Sequence, residues 1–102
     1  MNYQLVLQWP APLSADLDDI VQAEDRLIEC LSDEISVDGH DIGASEANIF
    51  ILTDDPISTF GKIRDILGKD SIWAGVRVAY REVTGSNYFI LYPEGLTAFQ
   101  IA

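Results

Sequence analysis

Two apolar rhythms alternate along this chain, and their order limits the fold more than any motif does. The segment YQLVLQW sets Tyr3, Leu5, Leu7 and Trp9 on one side and Gln4, Val6 and Gln8 on the other, the two-residue period of a strand. PAP interrupts it, because Pro10 and Pro12 cannot donate to a ladder, and the chain is expected to run extended to Ser14. From there the period lengthens to that of a helix. Ser14 suits the N-cap, Asp16, Asp18 and Asp19 suit the positive end of the helix dipole, and Leu17, Ile20, Val21, Leu27, Ile28 and Leu31 form an apolar stripe. Asp18, Gln22, Asp25, Glu29 and Ser32 are expected on its wet, negative face.

A short strand follows around SVDGHDI, and after GASEA the nearly continuous apolar run of NIFILT reads as a central strand covered on both faces. DDP ends that strand. Asp55 can cap a second helix with Pro56 in its first turn, and Ile57, Phe60, Ile63, Ile66 and Leu67 are expected to face the core until Gly68. An alternating segment from Ile72 to Val83, the turn signal TGSN and the return strand YFILY complete a hairpin, and LTAFQIA can add an edge strand or a packed tail.

The expected fold is therefore α+β: a ferredoxin-like βαββαβ plait with an added C-terminal hairpin strand, its antiparallel sheet carrying both helices on one face. The length of 102 residues fits a single domain spanning 1–102 that buries about 65% of its unfolded surface. In that plait the first and third strands are central and the second lies at an edge. The face away from the helices is expected to stay open, and Trp73, Arg77, Arg81 and Tyr88 or Tyr92 are its candidate partner or homodimer surface.

Charge decides what such a body can bind. Seventeen Asp and Glu against six Lys and Arg give a formal net charge of −11, which repels phosphate backbones and anionic membranes, so neither nucleic acid nor membrane is an expected partner. A basic protein is, because an anionic field speeds its docking. Apolar runs such as IFIL fall far short of the ~20 residues that span a bilayer. MNYQLVLQWP lacks the basic and apolar regions of a secretory leader, and the single Cys30 forbids an internal disulfide; both suit a cytoplasmic location.

Chemistry-bearing motifs are few. His40, the lone histidine, sits between Asp38 and Asp41 in VDGHDIG, but on a regular strand Asp38 and His40 share a face that Asp41 does not. Three ligands on one metal would need a bulge, and DG can instead form a turn through positive φ at Gly39. Asp54 and Asp55 could meet the GHD residues if the second and third strands pair, yet Asp before Pro has the form of a helix cap. Cys30 reads as a small apolar core group. No phosphate loop or nucleophile elbow is present in the sequence. No catalytic, cofactor or metal residue is assigned; Asp38, His40, Asp41, Asp54, Asp55, Trp73, Arg77 and Arg81 are the candidate ligand or partner contacts.

Taken as a set, DGHDIG, NIFILTDDP, AYREV and YPEGL resemble a family of small uncharacterised bacterial proteins of about this length, over nearly the whole chain. The resemblance implies one bacterial, cytoplasmic domain and transfers no activity and no site. Two functional expectations follow from the residues. One is a non-enzymatic acidic binding module for a basic partner, of inhibitor or immunity type. The alternative is a small-molecule or metal-responsive domain, or a small enzyme, using Asp38, His40 and Asp54.

Overall fold

A computed structural model describes residues 2–10, 17–31, 34–43, 46–99 and 101. Its elements run β1 (Tyr3–Pro10), α1 (Leu17–Cys30), β2 (Ser36–Ile42), β3 (Glu46–Thr53), α2 (Pro56–Leu67), a 3-10 turn (Ser71–Trp73), β4 (Arg77–Glu82) and β5 (Phe89–Tyr92). The class is α+β, with a five-stranded sheet in the order β2-β3-β1-β4-β5 and every neighbouring pair antiparallel. β1 is central and paired along both edges, Leu5 lying opposite Ile51 on one side and Tyr80 on the other, and its residues Leu5 to Trp9 are buried on both faces. The expected Ser14 cap and Asp16 lie outside the described residues.

Leu5, Leu7 and Trp9 turn toward the helices, where they meet Ile20, Ala23 and Leu27 of α1, Ile63 and Leu67 of α2, and Ala47, Ile49 and Ile51 of β3 in one buried cluster. Burying each of the leucine and isoleucine side chains contributes roughly 1.5–3 kcal/mol, so this cluster is the main source of stability. Trp9 is fully buried, and its indole Nε1 donates to the carbonyl of Ile72 at 2.7 Å, so burial leaves no polar atom unsatisfied.

The helices present narrower core faces than the apolar periodicity implies. Among the described side chains of α1 the buried positions are Ile20, Ala23 and Leu27, continued by Leu31 just beyond it, while Ile28 is 56% exposed. On α2 they are Pro56, Thr59, Ile63 and Leu67; Ile57 is 57% exposed, and Phe60 and Ile66 pack at the margin. Cys30 is exposed rather than buried, because Leu27 and Leu31 already set the inward direction and residue 30 is turned about 100° away from 31.

The face away from the helices is closed at its centre, contrary to the expectation of an open surface. Val6 and Ala79 are fully buried there, flanked in register by Phe50 and Ile90, and Gln8 and Asn48 are almost fully buried. The amides are satisfied: Gln8 Nε2 donates to Asn48 Oδ1 and Glu46 Oε2, and Asn48 Nδ2 donates to the same Glu46 oxygen at 2.7 Å.

Trp73 does not belong to that face. Residues 71–73 form a 3-10 turn, and Gly75, at φ +78°, redirects the chain before β4 starts, so the strand-like alternation from Ile72 is interrupted. Trp73 instead lies 6.3 Å from Phe60 and 5.5 Å from Tyr92 between ring centroids, and the guanidinium of Arg64 sits over the Phe60 and Tyr92 rings. Residues 96–99 form no strand, although Phe99 packs against Tyr88 at 5.0 Å.

Candidate functional site

Acidic side chains gather on α1 and β2. Thirteen of the seventeen Asp and Glu precede residue 62, against one of the six basic residues, Arg26. Within the described part of that half, Asp18, Asp19, Asp25 and Glu29 are exposed on α1, and Asp38 and Asp41 are exposed on β2. Arg26 offsets little of this, since its guanidinium pairs with Asp70 and also donates to the carbonyl of Ile66 at 2.7 Å.

The two acidic elements are joined by His40. Its Nδ1 and Glu24 Oε2 are 3.1 Å apart, with the histidine 34% exposed and the glutamate 13%. A bulge makes this possible. The β2–β3 register steps from Val37 opposite Ile51 to Gly39 opposite Phe50, leaving Asp38 as the extra residue and Gly39 at φ +115°. The step reverses the alternation, so Val37, His40 and Ile42 all turn toward the helices, while Gly39 and Asp41 turn away. A regular strand would pair Asp38 with His40 on one face; the bulge separates them.

The GHD and TDD residues do not converge. His40 pairs with Ile49, five residues before Asp54, so the two lie roughly 16 Å apart along β3. Asp54 instead accepts the backbone N–H of Asn2 at 3.0 Å, which fastens the start of β1. Asp55 caps α2, its Oδ1 accepting from the Ser58 amide at 3.0 Å, with Pro56 in the first turn. Its own amide donates to Thr53 Oγ1, and that hydroxyl pairs with Thr59 Oγ1 at 2.7 Å in a buried contact. TDDP is thus a strand-to-helix joint. Among the described residues no group of three His, Cys, Asp or Glu is placed to hold a metal ion.

The two arginines of β4 differ. Arg77 lies half-buried opposite Gln8, on the face away from the helices. Arg81 donates through one guanidinium nitrogen to the carbonyls of Glu82, Val83 and Gly85 at 2.9–3.1 Å and so clamps the β4–β5 turn. Sequence reasoning missed this clamp and the role of Glu24; the only prior sign of the latter was an acidic residue interrupting the apolar side of α1.

Comparison with known proteins gives no match to a family model, a curated protein or a solved structure. No helix among the described residues is long and apolar enough to cross a membrane.

Proposed function

We propose that this chain is a non-enzymatic acidic binding module that holds a basic protein against its α1–β2 side, in the manner of an inhibitor or immunity protein. The observation that carries the reading is the exposed acidic surface of α1 and β2, where Asp18, Asp19, Asp25, Glu29, Asp38 and Asp41 are exposed and Arg26 is the one basic residue. A field of that form orients an incoming cationic surface as well as attracting it, and it fades over a Debye length of about 8 Å at physiological salt. The strand order, with β1 and β3 central and β5 added beside β4, supports a ferredoxin-like plait carrying an extra hairpin strand as the scaffold.

Affinity capture from the native lysate, followed by association kinetics with the captured protein, tests this. Association is expected to slow about tenfold or more between low and physiological salt. Asp25→Lys with Asp41→Lys should slow it further, whereas Asp65→Lys on α2 should not. A salt-independent association rate, or recovery of no basic protein, refutes the proposal.

A further inference from the structure

The apolar surface of α1 is wider than the sheet beneath it. Ile20, Ala23 and Leu27 sink into the core, but Ile28 stays 56% exposed and Val21 half-buried. Glu24 fixes the direction of this second stripe, since it contacts His40 of β2 and residues three before and four after it share its side of the helix. Val21 and Ile28 therefore lean toward the β2 margin. Ile42, two residues beyond His40 and on the same strand face, is 37% exposed. β2 is the last strand on this side, so its outer backbone groups have no strand partner among the described residues.

We propose that this ledge receives an additional strand: an extended, cationic segment of a protein partner pairs with the outer edge of β2 beneath the overhang of α1. The inference rests on the acidic-module reading and names how its partner docks. Apolar side chains on one face of the incoming strand cover Ile28 and Ile42, and Lys or Arg on its other face meets Asp41, with Asp38 nearby at the bulge. Charge selects this occupant over a second copy of the chain, which would set Asp38 and Asp41 against the same groups. The bulge keeps the paired stretch short, so backbone bonds and charge must act together.

The probes are a short peptide of alternating Lys and Val and the same peptide N-methylated along its backbone, which keeps charge and side chains but removes the donors. Fluorescence anisotropy should show the unmodified peptide binding at least about tenfold more tightly, and amide shifts should concentrate in β2. Ile28→Ser should weaken its binding about tenfold, while Ile57→Ser, equally exposed on α2, leaves it unchanged. Circular dichroism establishes that both variants are folded. Equal binding of the two peptides, with shifts spread over α1, overturns strand addition and leaves the acidic-module reading standing. Binding of neither peptide overturns strand addition, while the captured-protein kinetics judge the broader reading separately. Sedimentation showing a dimer with β2 amides protected makes a second copy the occupant and overturns the proposal.

Discussion

At the β5 margin of the sheet, Phe60, Trp73 and Tyr92 pack ring against ring with the Arg64 guanidinium over Phe60 and Tyr92, and Tyr80 lies 5.3 Å from Phe89. At the β2 margin the corresponding positions hold Glu24, His40, Asp38 and Asp41, with Ile28 and Ile42 only partly covered. Both margins end in a strand whose outer side has no further strand among the described residues. One is built up by large rings and a cation lying on their faces; the other is guarded by charge. Packing of the first kind contributes stability whatever the solution, whereas protection of the second kind depends on salt and on who approaches. The two margins thus differ in kind, one packed by rings and the other lined with exposed charge.

The largest expected test of this contrast is Trp73→Ala, which removes the centre of the aromatic margin and should cost ~3–5 kcal/mol in urea unfolding. A loss under about 1 kcal/mol would mean that the rings add little and that the two margins are energetically alike. Asp55→Ala should cost about 1 kcal/mol by removing the cap of α2, measured the same way. Glu24→Gln at the acidic margin should cost less, under about 1 kcal/mol, because the His40 contact is partly solvated. Smallest of all, Ile28→Ser should change stability by no more than about 0.5 kcal/mol. A large loss there would place Ile28 in the core and remove the contrast.

The framework was readable from the residues because each of its signals is local. Two-residue alternation marked β1, Asp55 with Pro56 marked the start of α2, and TGSN marked the β4–β5 turn. Errors arose where placement in the sheet decides the outcome. Val21 and Ile28 have the spacing of core residues on α1, but a helix above an edge strand has too little sheet below it to bury them fully. The alternation from Ile72 looked continuous with β4, although Asp70 and Gly75 bracket a 3-10 turn that carries Trp73 inward. The relation of His40 to Asp38 depended on a bulge, and a one-residue step reverses every face after it. Among the candidate contacts, Asp55 has the capping geometry its sequence context implied, Asp54 anchors Asn2, and Arg81 is drawn into its own hairpin. None of these last two arrangements has a signature in residue spacing.

The three oxygens gripped by Arg81 all belong to the main chain, and every amino acid supplies one. Side-chain identity at Thr84, Ser86 and Asn87 is therefore free to vary while the excursion keeps its path, provided its length is kept. The tip of this hairpin is accordingly the place to attach a reporter group through a single substitution without disturbing the rest of the molecule.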